Sequence, residues 1–138
     1  MKNILPILIL ILVGCENPME PQEEYQFDIS VENVEPDENN FYHLELDDDN
    51  QTLQRLVANT NRNDIQKVYW VADKIYEYEY NGVTFEVDVV NPASYTDDGY
   101  AYTMFGPFPT MVGDTVTIVS YYNDWEYDYS DTIKIILE

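Results

Sequence analysis

One cysteine, one histidine and six lysines and arginines in 138 residues remove most familiar protein chemistry before any motif is read. A single thiol forms no disulfide within the chain, and zinc sites need His and Cys in numbers this sequence lacks. The lone histidine, His43, stands on the polar side of an alternating run with acids close by, and no nucleophile motif accompanies it from which to build an acyl-transfer triad. Against 27 acidic residues the six cations leave a net charge of −21. That excludes nucleic acid as a natural partner, because phosphate binding works through Lys and Arg displacing counterions. The same charge opposes adhesion to anionic lipid headgroups. Long hydrophobic runs are missing too. The stretch Ile4 to Val13, interrupted by Pro6, covers about 15 Å at a helical rise, roughly half a hydrocarbon core, so it is read as a signal segment rather than a membrane span.

What the sequence does have begins with that segment. Lys2 precedes the apolar run, and Leu12-Val13-Gly14-Cys15 closes it with a small residue before the only cysteine. This resembles the lipobox of bacterial lipoproteins. The resemblance implies that residues 1–14 are a signal peptide, that Cys15 is acylated, and that the chain is cut before it. Without Lys2 the processed chain has 27 acids against 5 bases, a net charge near −22. Attachment to the membrane is then expected from the acyl chains at Cys15 alone. Residues 15–24 read as a lipidated cysteine and a tether, with Pro18, Pro21 and four glutamates and little to bury. Acids soon after the cysteine also resemble the surface-export signal of some bacterial lipoproteins. The expected location is the bacterial cell envelope, at the outer membrane, periplasmic or surface-exposed.

Residues 25–138 form one domain by length. From Tyr25 onward the apolar residues recur with a period of two: Tyr25, Phe27, Ile29 and Val31; Tyr42, Leu44 and Leu46; Val68, Trp70 and Ala72; Val116 and Ile118; Ile133, Ile135 and Leu137. Polar turns such as Asp47-Asp48-Asp49-Asn50 separate them. Short β-branched and aromatic strands of this kind predict an all-β sandwich or barrel. Tyr80-Asn81-Gly82-Val83 predicts a two-residue type I′ hairpin, since both central positions need positive φ. That turn fixes a register in which Tyr80 faces Val83, Tyr78 faces Phe85 and Tyr76 faces Val87 on one side. Glu79 then faces Thr84 and Glu77 faces Glu86 on the other, with Asp88 on the diagonal. Like charges set opposite one another need solvent or a cation.

The motifs Leu56-Val57-Ala58-Asn59, Ile65 to Trp70, Gly113 to Ile118 and Ser130 to Ile135 together resemble an immunoglobulin-like β-sandwich, of the fibronectin type III or polycystic-kidney-disease-repeat kind found in bacterial surface proteins. The resemblance implies an antiparallel sandwich of about seven or eight strands, with Trp70 packed between the sheets. The strand from Tyr25 to Val34 has no slot in that pattern and is expected as an edge strand. Lys74, at inward parity between Ala72 and Tyr76, predicts a bend in a long strand from Ile65 to Tyr80.

This topology places the loops Thr60 to Asp64, Asn91 to Asp98, and Asn123 to Ser130 at one end. Asp64, Asp97, Asp98, Asp124, Glu126 and Asp128 are thereby candidate ligands for Ca²⁺, which takes six to eight oxygens at about 2.4 Å; ordinary solvated acidic loops are the alternative. Tyr95, Trp125 and Tyr127, in the same loops, are candidate ligand-binding residues, because exposed rings stack on sugars or anchor protein interfaces. Tyr76, Tyr78, Tyr80, Tyr100 and Tyr102 are expected on sheet faces. Two carboxylates suffice for a glycosidase, but no pair stands out, and short loops on a small sandwich offer little cleft. The expected function is non-catalytic: protein or glycan recognition, or a purely structural role in an envelope assembly, with a small carboxylate-based hydrolase as the minor alternative. No cofactor is expected beyond the candidate Ca²⁺.

Overall fold

The computed structural model describes residues 26–124 and 128–138. Cys15 and residues 1–25 lie outside it, as do Trp125, Glu126 and Tyr127, so the expectations for the lipobox and for those three loop residues fall outside the described residues. The described chain forms ten strands: β1 (Asp28–Val31), β2 (Phe41–Leu44), β3 (Gln54–Asn59), β4 (Lys67–Ala72), β5 (Ile75–Tyr80), β6 (Val83–Asp88), β7 (Ala93–Asp97), β8 (Tyr100–Phe105), β9 (Thr115–Asn123) and β10 (Asp128–Leu137). Its only helical element is a single 3-10 turn at Pro109–Met111.

Eight strands run in the order β1-β3-β8-β7-β4-β9-β10-β2, and β5 and β6 form a separate two-stranded sheet. The eight fold over into two layers because β7 belongs to both. Its first half, Ala93 to Tyr95, pairs with β4, and its end, Thr96 and Asp97, pairs with β8. The layers face each other across Val68, Trp70, Val116, Ile118, Ile135 and Leu137, which the alternation placed inward, and Leu56 and Ala58 of β3; all eight are buried. Trp70 is 1% exposed, and its indole N–H donates to Ser94 Oγ at 2.8 Å, so its one polar group is satisfied inside the core. The fold is therefore the all-β sandwich the sequence implies.

The first strand behaves as an edge. β1 pairs antiparallel with β3 in one layer, and after Asn33 and Asn40, both at positive φ, the chain re-enters the other layer as β2. β2 lies parallel to β10, with Tyr42 opposite Ile135 and Leu44 opposite Leu137. The Ile29 N–H donates to Asp131 Oδ2 at 2.8 Å, which bridges the open side of the sandwich between β1 and β10.

Two expectations are corrected. The first is the single long strand from Ile65 to Tyr80. β4 ends at Ala72, where Asp73 turns the chain: its N–H donates to the Thr117 carbonyl at 3.0 Å and its carboxylate accepts the Thr117 N–H at 2.8 Å. The bend falls where Lys74 indicated it, but the chain beyond leaves the layer. β5 and β6 make their own hairpin, with Asn81 at φ 52° and Gly82 at φ 76° and with every predicted cross-strand pair in place. The second is the segment from Asn91 to Asp98, which is mostly strand β7 rather than loop; a two-residue turn, Asp98 (φ 50°) and Gly99 (φ 82°), joins it to β8.

Candidate functional site

The loops between β3 and β4, β7 and β8, and β9 and β10 do meet at one end. Thr60, fully buried, holds the first two together: its N–H donates to the Gly99 carbonyl at 2.9 Å, and its hydroxyl lies 2.9 Å from the carbonyls of both Gly99 and Arg62. A side chain at Gly99 would come within 3.1 Å of the Arg62 carbonyl, so this contact tolerates no Cβ without a shift.

The centre of this end is a cation that the chain itself supplies. The Arg62 side chain is 10% exposed and ion-paired to Asp64 at 2.5 Å and to Asp124 at 2.6 Å. These contacts, first Asp64 and then Asp124, push the already high guanidinium pKa further up, and Arg62 holds the Asp64 carboxyl below its ordinary range. Beneath Arg62 lie Tyr122 and Tyr129, stacked at 4.9 Å, with Phe27 edge-on to Tyr122 at 5.1 Å; the guanidinium carbon is 5.9 Å from the Tyr129 ring centre. Burial raises the Tyr122 hydroxyl pKa, and the nearby guanidinium opposes that rise.

The six candidate calcium ligands are thus distributed as follows. Asp64 and Asp124 converge, on Arg62. Asp97 closes β7 and Asp98 forms the turn after it. Asp128 accepts from Asn123 Nδ2 at 3.2 Å across the β9–β10 ladder, and Glu126 lies outside the described residues. Among the described residues, no three acids, histidines or cysteines stand close enough to hold a metal ion. Reading the acids alone missed Arg62. The one signal was its place in Asn61-Arg62-Asn63-Asp64, one of six cations in the chain and two residues before an acid.

Beside this end, the outer face of the layer β7-β4-β9 carries a cluster of rings. Tyr69 on β4 stands opposite Tyr121 on β9, stacked at 5.3 Å with 22° between the planes. Tyr95 on β7 stands opposite Lys67 and is 79% exposed. The Lys67 ammonium lies 5.2 Å from the Tyr69 ring and 5.8 Å from the Tyr95 ring, bridging them by cation–π contact. Tyr95 was flagged from sequence as a loop residue; it is a strand residue on a three-ring platform. Tyr69 and Tyr121 went unflagged because only pairing across strands brings them together.

Elsewhere His43 lies exposed between two carboxylates, Nδ1 2.6 Å from Glu138 and Nε2 2.8 Å from Asp37. These bonds, led by Asp37, raise its pKa. The Asp47 carboxylate closes the acidic turn by accepting the N–H groups of Asp49 at 2.8 Å and Asn50 at 3.0 Å. A cavity of about 190 Å³ lies where the β5–β6 hairpin leaves the sandwich, its lining including Trp70, Lys74, Asp88 and Val90; small-molecule sites typically start near ~300 Å³. In comparisons with known proteins, the chain matches no family model and shows no detectable sequence similarity to a curated protein.

Proposed function

We propose that this chain is a non-catalytic recognition module of the bacterial envelope, tethered through acylated Cys15, that binds a protein or glycan partner. The observation that carries this reading is the platform of Tyr95, Tyr69 and Tyr121 around Lys67 on one sheet face. A Tyr left 79% exposed on a strand contributes little to folding, whereas tyrosine rings gathered on one face offer large contact area at low entropic cost. Sugar rings present C–H groups to such faces, and Trp125 and Tyr127 follow Asp124 in the sequence.

The immunoglobulin-like reading of the domain is supported by the pairing. β1, β3, β8 and the end of β7 make one layer and β4, β9 and β10 the core of the other, which is the division of strands expected for that fold.

The test is saturation-transfer NMR with soluble envelope oligosaccharides, together with site-specific photo-crosslinking from position 95 in cells, on wild type and Tyr95→Ala. The expected result is a defined ligand whose affinity falls at least about tenfold on losing Tyr95, with the melting temperature unchanged. Cys15→Ala should abolish incorporation of labelled palmitate and release the protein from the membrane fraction. Equal binding by Tyr95→Ala would remove the platform from the reading, and no ligand by either method would favour a purely structural role.

A further inference from the structure

The β5–β6 hairpin stands outside the eight-stranded sheet, with rings and Val on one face and acids on the other. Among the described residues its strands pair only with each other, and it meets the sandwich through Tyr76, which stacks on Phe108 at 3.8 Å. From that contact a file of rings runs outward along one face: Tyr76 to Tyr78 at 6.0 Å, then Tyr78 to Phe85 at 5.3 Å. Tyr78 and Phe85 are 42% exposed, Val83 54% and Tyr80 65%. The opposite face carries Glu77, Glu79, Glu86 and Asp88, and no Lys or Arg occurs from position 75 to 88.

We propose that this hairpin is a docking blade for an extended, Lys- or Arg-rich segment of a partner protein, which lays apolar side chains on the ring face. Charge selects the occupant. A two-stranded ribbon is one residue thick, so a cation over the rings sits within about one Debye length (8–10 Å) of the carboxylates behind them. The faces of Tyr rings add cation–π attraction to the same side chains. A second copy of the chain would bring its own acids against these, and anionic lipid would be repelled in the same way. The outer edges of β5 and β6 hold unpaired backbone donors and acceptors, which suit an extended segment better than a helix. The site is separate from the tyrosine platform and does not depend on it.

The experiment measures fluorescence anisotropy of a labelled nine-residue peptide of alternating Lys and Val against the full-length protein, with alternating Glu and Val as the control. Tyr78→Ser/Phe85→Ser keeps every charge, and the cross-strand Hα–Hα contact between Glu77 and Glu86, a pair without mutual hydrogen bonds, reports whether the hairpin remains formed. Binding to the Lys peptide should fall at least tenfold in this variant. Its salt dependence should weaken in Glu79→Gln/Glu86→Gln, and binding should stay unchanged in Tyr95→Ala. Should the double serine variant lose its hairpin, Tyr80→Ser at the exposed tip decides, with a loss of about threefold expected. The proposal is overturned if the ring variant with an intact hairpin binds like wild type, which would mean general attraction to an acidic protein. It is equally overturned if the Lys peptide fails to bind, or if the Glu peptide, phosphatidylglycerol vesicles or a neutral oligosaccharide bind as tightly with the same dependence on the rings.

Discussion

Arg62 is where the acidity of this protein is turned to structural use. It joins a loop to a strand end 62 positions away, and its near-complete enclosure makes its loss costly: Asp124, only 18% exposed, would keep its charge with less of its compensation. Removing one partner of a buried pair costs about 3–5 kcal/mol, and this pair is partly solvated, so Arg62→Ala should cost about 2 kcal/mol in urea unfolding. A loss below about 0.5 kcal/mol would mean the clamp is ornamental. His43 makes the complementary case at the exposed edge. Its folded pKa is raised above the ordinary 6.5, so the ion pairs it makes with Asp37 and Glu138 favour folding most fully below 6.5 and fade as pH rises through the folded value. As the chain's only histidine it gives a single pair of imidazole C–H resonances by NMR. Its titration midpoint should lie above 6.5 in wild type and move down in Asp37→Asn/Glu138→Gln; a midpoint that ignores both carboxylates would remove the clasp.

Among the elements, the hairpin shows how far sequence reading reaches. Asn81-Gly82 specifies a turn, the turn specifies a register, and the register specifies which side chains share a face; all of that was legible, because each step is local. What the pattern could not say was whether anything covers the apolar face. Alternation distinguishes two sides of a strand without naming the neighbour on either, and the two hydrogen bonds by which Asp73 ends β4 involve Thr117, far along the chain. β7 was missed for the opposite reason: Pro92, Ala93 and Ser94 are weak strand formers, although Asp98-Gly99 carried a hairpin signal as good as the one that was used. Arg62 and the Tyr69–Tyr121 stack share this fate, each depending on pairs that exist only once strands have met. The isolation of the hairpin has a measurable side. Two-stranded sheets are marginally stable alone, so the amides of β5 and β6 should exchange at least about a hundredfold faster than those of β9 in native-state hydrogen exchange. Equal protection would show that the hairpin opens only with the whole domain.

At the scale of the molecule, the net charge is −21; the acids among the described residues mostly face solvent, while the core is assembled from the alternating residues of both layers. The charge therefore governs which partners approach, and the packing governs the fold. The parallel run of β2 beside β10 adds a property of another kind. Because Phe41 lies opposite Lys134 and Leu44 opposite Leu137, a pull on the chain entering β2 and a pull on the chain leaving β10 act in opposite senses along adjacent strands. The hydrogen bonds between them are then strained together in shear rather than opened one after another, as they would be at the end of an antiparallel hairpin. A domain tethered at its front and drawn from its back would meet tension with its ladder loaded side by side, the geometry in which a few weak bonds resist as one.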